Sequence, residues 1–73
     1  PYSREERVAL AMKFIEENGF MRLSDYVQFT RLSRSTACRE LKELCSDKNS
    51  SIDTTGRRTH KVYVKRKEEI GNR

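Results

Sequence analysis

The chain has no tryptophan, one proline, three glycines, two cysteines and a single histidine. No apolar run approaches the ~20 residues that a membrane-spanning helix requires, so a transmembrane helix is excluded. The first residues interleave Arg and Glu, so no secretory signal peptide is read there. The lone His60 has no Cys, His or carboxylate at ligand spacing, so no metal site is expected. Cys38 and Cys45 are seven residues apart in a predicted helix, about 10 Å along its axis, too far to bridge each other. Two free thiols fit a reducing, cytoplasmic setting, and both read as small buried hydrophobes. No nucleophile–base pair, phosphate loop or metal set is visible, so the expectation is a non-enzyme without cofactors. Hydrophobic residues make up only 34% of 73 residues, enough for one small core and too little for a TIM barrel or doubly wound sheet. The chain opens at Pro1 rather than Met. It is expected to be one domain over 1–73, with a core at about 3–66 and a charged tail at 67–73, and a fragment of a longer protein.

What the chain does have is charge. Charged residues are 37% of the total, with 16 Lys and Arg against 11 Asp and Glu, a net +5. Residues 1–50 carry nine Lys and Arg against eight Asp and Glu, while residues 51–73 carry seven against three. The cationic excess therefore collects in the last third, around Arg57-Arg58 and Lys65-Arg66-Lys67. Such clusters attract polyanions.

Three helices are predicted. Ser3 with Glu6 forms a capping box, Val8, Ala11, Met12 and Ile15 follow at helical spacing, and Asn18-Gly19 ends the run. Arg4, Arg7, Lys13, Glu16 and Glu17 fill the outer side as a mixed, solvated face. Phe20-Met21-Arg22-Leu23 reads as a connector able to add an edge strand. Ser24-Asp25 caps a short second helix whose apolar contacts are Tyr26, Val27 and Phe29. Thr30-Arg31-Leu32 is a turn, and Ser33 caps a third helix running to about Ser46. Ala37, Leu41 and Leu44 face inward, flanked by Cys38 and Cys45. At roughly 100° per residue, Ser35, Arg39 and Lys42 point the other way, with Thr36 and Glu43 at the border and Arg34 at the free end.

After the loop Asp47-Lys48-Asn49-Ser50, two alternating segments follow, Ser51 to Thr55 and His60 to Lys65. The first has Ile52 and Thr54 on one face. The second has Val62 and Val64 on one face and Lys61, Tyr63 and Lys65 on the other. Gly56-Arg57-Arg58-Thr59 is the hairpin tip between them. Tyr63 is expected to pack rather than stack on bases.

The fold class is therefore mainly α with a small β-hairpin. A short helix joined by a tight turn to a third helix is a helix-turn-helix arrangement, and a following hairpin makes it winged. The run Leu32-Ser33-Arg34-Ser35-Thr36-Ala37-Cys38-Arg39-Glu40-Leu41-Lys42-Glu43-Leu44 and the segment Thr55-Gly56-Arg57-Arg58-Thr59-His60-Lys61-Val62-Tyr63-Val64 resemble winged helix-turn-helix domains of the DeoR-like kind. They are most similar to the small C-terminal modules of Fic-type proteins and of divergent, RecG-like ATPase proteins. The resemblance covers roughly residues 5–65. The chain departs from the family pattern at Arg31, where the turn often has Gly, and at residues 47–50, which lack the usual Gly and apolar pair.

The resemblance implies a double-stranded DNA-binding module of a transcriptional regulator. The major groove admits one helix and displays a distinct donor and acceptor pattern for each base pair. Arg34, Ser35, Thr36, Arg39 and Lys42 are the residues the third helix offers to it, with Arg31 beside them. Arg57, Arg58 and Lys61 on the wing suit the backbone or a minor groove. One small module neutralises few phosphates, so a homodimer or domains of a parent protein would add avidity. The rival reading is a winged helix that docks or dimerises with protein, or regulates a larger ATPase or Fic-type protein. Glu40 and Glu43 on the third helix keep that rival open. Changing Arg57 and Arg58 together to Ala should flatten the salt dependence of duplex binding; an unchanged slope would take the hairpin tip out of the interface.

Overall fold

A computed structural model describes residues 2–56 and 61–67. The chain forms α1 (Arg4–Asn18), α2 (Leu23–Thr30) and α3 (Arg34–Ser46), then β1 (Ile52–Thr55) and β2 (Val62–Lys65) as a two-stranded antiparallel sheet. The expected hairpin tip, with Arg57 and Arg58, and the tail from residue 68 lie outside the described residues. No helix is long and apolar enough to cross a membrane among the described residues.

The ends of α1 follow local chemistry. The Ser3 hydroxyl accepts the Glu6 N–H at 3.2 Å, and the Glu6 carboxylate accepts the Ser3 N–H at 2.8 Å. Each bond satisfies a backbone donor that the first helical turn leaves open. Gly19 takes φ 88°, and its N–H reaches the Ile15 carbonyl at 2.6 Å. Ser33 caps α3, its hydroxyl accepting the Thr36 N–H at 3.3 Å.

The second helix departs from expectation at both ends. Its N-cap position is Arg22, not Ser24. Asp25, inside the first turn, accepts the Arg22 N–H at 2.9 Å and so performs the capping from the N3 side. Starting two residues earlier brings Leu23 onto the core and leaves Ser24 exposed. At the far end Thr30 belongs to α2 rather than to the turn. It is buried, and its hydroxyl donates to the Tyr26 carbonyl at 2.6 Å, so no polar atom is stranded.

The hairpin keeps its predicted alternation, with Thr54 opposite Tyr63 and Ile52 opposite Lys65. The face turned to the helices is the one bearing Tyr63, which is buried, while Val62 and Val64 are half-buried. Tyr63 shares that face with Ile52, which is fully buried, while Met21 pairs along the free edge of β2. The Met21 N–H donates to the Tyr63 carbonyl at 2.8 Å and its carbonyl accepts the Tyr63 N–H at 2.7 Å, so the connector forms a single bridge to β2. Arg66 ties down the other side. Its guanidinium donates to the carbonyls of Asp47 at 2.6 Å, Cys45 at 2.7 Å and Ile52 at 3.1 Å. Arg66 thus closes the end of α3 against the hairpin instead of serving in a free cationic cluster.

The core joins all five elements through Ala11, Ile15, Met21, Tyr26, Ala37, Leu41, Leu44, Ile52 and Tyr63. Cys38 is exposed, contrary to expectation, because it lies about 100° round the helix from Ala37. Cys45 is half-buried, and burial pushes its thiol pKa up.

The main correction concerns charge. Glu40 is buried, not part of the outer face of α3. Its carboxylate accepts two bonds from Arg7, at 2.8 Å from Nε and 2.5 Å from Nη2, and one from the Tyr26 hydroxyl at 2.6 Å. Arg7 therefore turns inward instead of standing on a solvated face. The paired Arg7 bonds hold the Glu40 carboxyl below the usual carboxylate range. Burial, then the Glu40 bond, push the Tyr26 phenol pKa up, so it stays a donor. A carboxyl with a lowered folded pKa contributes stability at neutral pH, and that contribution fades as pH falls through the folded value. Glu40→Gln presents an amide donor to Arg7 and should cost about 1–3 kcal/mol at pH 7. Denaturant melts should show the gap between the two proteins closing below about pH 4; a gap independent of pH would contradict the assignment.

Candidate nucleic-acid interface

The third helix sorts its charges by direction. Ala37, Glu40, Leu41 and Leu44 point inward. Glu43, on the flank facing α1, pairs with Arg4, whose Nη1 is 3.1 Å from its carboxylate. Arg4 Nε also lies 3.9 Å from Glu40. Both carboxylates of α3 are thereby matched by arginines of α1. What remains outward is Arg34, Ser35, Arg39 and Lys42, all exposed, with Cys38 among them. Thr36 is half-buried, and its hydroxyl oxygen accepts a bond from the Ser33 hydroxyl at 2.9 Å. Its own hydroxyl hydrogen stays available to an acceptor at the helix start.

The expected cations therefore divide into three groups. Arg34, Arg39 and Lys42 share the open face of α3. Arg31 is exposed in the connection between α2 and α3, at φ 64° and ψ 18°, with its N–H on the Val27 carbonyl at 2.9 Å. Lys61 is exposed at the start of β2, its ammonium 6.0 Å from the Tyr63 ring centre. None of these five cations forms an ion pair among the described residues. The expected contribution of Arg57 and Arg58 falls outside the described residues.

One further cation escaped the sequence reading. Arg22 is exposed, its guanidinium 5.4 Å from the Phe20 ring centre. A groove of about 460 Å³ runs between Arg22, Ser24, Arg34, Cys38 and Lys61, with Leu23 and Tyr63 also lining it. The signal available for Arg22 was Asp25 three residues on, the spacing of a helix start. A larger groove of about 870 Å³ lies between the start of α1 and the end of α2, but it includes Glu6 and the already engaged Arg7. Among the described residues, no three His, Cys, Asp or Glu side chains gather as a metal site.

No protein-family model, no curated protein and no solved structure matches this chain.

Arg31 occupies the left-handed region, which costs a side-chain-bearing residue roughly 1–2 kcal/mol, while Gly there loses about 0.5–1 kcal/mol more on folding. Arg31→Gly should therefore raise stability by up to about 1.5 kcal/mol. The check is the urea midpoint with its slope unchanged; a lower midpoint would show that the arginine side chain contributes stabilising contacts.

Proposed function

We propose that this domain is a winged helix-turn-helix module that binds double-stranded DNA, with α3 in the major groove and the β1–β2 hairpin as the wing. The single observation that carries the reading is the segregation of charge on α3. Its two carboxylates are neutralised by Arg7 and Arg4, and its cations stand together on the exposed side. A helix that pairs both its acids with arginines of α1 and exposes Arg34, Arg39 and Lys42 beside two hydroxyls suits a polyanion with acceptor-rich base edges. The short connection through a left-handed Arg31 and the resemblance of the 32–44 run to DeoR-like domains support the same reading.

Arg39 sits mid-face and is suited to a bidentate grip on guanine O6 and N7. Arg34, Ser35 and Thr36 stand at the helix start, where open N–H groups also favour phosphate. Arg31, Lys42 and Lys61 act as backbone contacts. In this reading the domain has no catalytic step, and transcriptional regulation is the setting in which such a module serves.

The rival is a module that docks protein. It calls for an apolar patch on the exposed side of α3. The exposed large hydrophobics among the described residues are Tyr2 and Phe20, neither of them on α3. The acids that kept the rival open, Glu40 and Glu43, are both committed to α1.

Salt-dependent titration with random duplex DNA is the test. Six phosphate contacts give a slope of log affinity on log salt of about −5. Arg39→Ala should cost about 1–3 kcal/mol and relax one base position in selected sequences. A uniform loss over all sequences would make Arg39 a phosphate anchor, and absence of any salt-sensitive binding would end the DNA reading.

A further inference from the structure

The groove beside α3 brings together three cations from three separate elements. Arg22 is the N-cap residue before α2, Arg34 opens α3 and Lys61 immediately precedes β2. Among the described residues no carboxylate lines the groove. The acid nearest in sequence, Asp25, has its carboxylate turned to the Arg22 N–H at 2.9 Å. Arg22 and Lys61 are separated by most of the chain and meet only because Met21 bridges Tyr63. Three like charges around one concavity repel one another, and an anion seated among them relieves that repulsion. Ser24, exposed at the same wall, supplies a hydroxyl. The Phe20 ring under the Arg22 guanidinium limits its rotamers, so less freedom is lost when it grips an oxygen. Guanidinium groups match the tetrahedral oxygens of phosphate with paired bonds.

We propose that this groove is a seat for one phosphate group, held jointly by Arg22, Arg34 and Lys61. In a duplex it takes a single phosphodiester of the strand flanking the base contacts of α3, and so sets how deep and in what register α3 enters. The assignment of that phosphate to duplex DNA rests on the proposed function; the seat itself does not. A shared phosphate makes a specific demand. Cations on one phosphate are coupled, whereas cations on separate phosphates act independently.

The test is a cycle of Arg22→Ala, Lys61→Ala and the double variant, each confirmed folded by circular dichroism. It is read in two assays. In salt titrations with duplex DNA, each single change should weaken binding by about tenfold and reduce the slope by about 1. The double variant should lose no more than the worse single one, because both cations serve the same phosphate. Losses that multiply, with a slope reduced by about 2, would mean two independent contacts and overturn the shared seat. Unchanged affinity in all three variants would overturn it as well. In the second assay, inorganic phosphate is titrated into the protein while backbone amides are followed by NMR. Joint, saturable shifts at Leu23, Ser24 and Lys61, absent in the double variant, support the seat. If the unaltered protein ignores duplex DNA, the proposed function falls and the phosphate titration alone decides: joint shifts sustain the seat, and an unresponsive spectrum removes it.

Discussion

The buried carboxylate of Glu40 is the constraint on which this domain turns. It collects Arg7 from α1 and the Tyr26 hydroxyl from α2, and it belongs to α3, so one side chain joins three helices. A buried charge is tolerated only when paired and hydrogen-bonded, and here both oxygens are occupied. That requirement sets the rotation of α3 about its axis. With Glu40 inward, Glu43 comes to the flank of α1 and meets Arg4, and Arg34, Arg39 and Lys42 are left outward. The separation of charge across the helix is thus a consequence of how the core satisfies one acid.

The hairpin is held by backbone more than by apolar area. The two bonds between Met21 and Tyr63 anchor β2 to the connector after α1. Arg66 gathers three carbonyls from the end of α3, the following loop and β1. A core drawn from so few large side chains gains little from area alone, and these ties supply directional contacts that apolar packing lacks. They also place Lys61 next to Arg34 and Arg22, which makes the cationic groove a product of the sheet's attachment rather than of any one segment.

Local signals in the sequence proved sound where the chemistry was local. The capping box at Ser3 and Glu6, the stop at Gly19 and the cap at Ser33 each involve groups within four residues, and each is present. The inward face of α3 at Ala37, Leu41 and Leu44 followed from period alone. Local signals misled where two local solutions competed. Ser24 and Asp25 both suit a helix start, and the choice fell to Asp25 because Leu23 gains core contact that way. Cys38 followed its hydrophobic character on paper, yet one helical step from Ala37 carries it into solvent.

Much of the candidate interface was legible, since Arg34, Ser35, Arg39 and Lys42 stand on the open side of α3 as their spacing implies. Arg22 and the role of Glu40 were not, because each depends on partners twelve or more residues away. Sequence alone determined the cap-set ends of α1 and α3, the alternation of the strands and the outward stripe of cations, since each is a matter of neighbours along the chain. Tertiary structure decided which charges are free and which are spent. An arginine looks the same in sequence whether it faces water, as Arg39 does, or closes on Glu40, as Arg7 does, and only the placement of the opposing carboxylate separates the two.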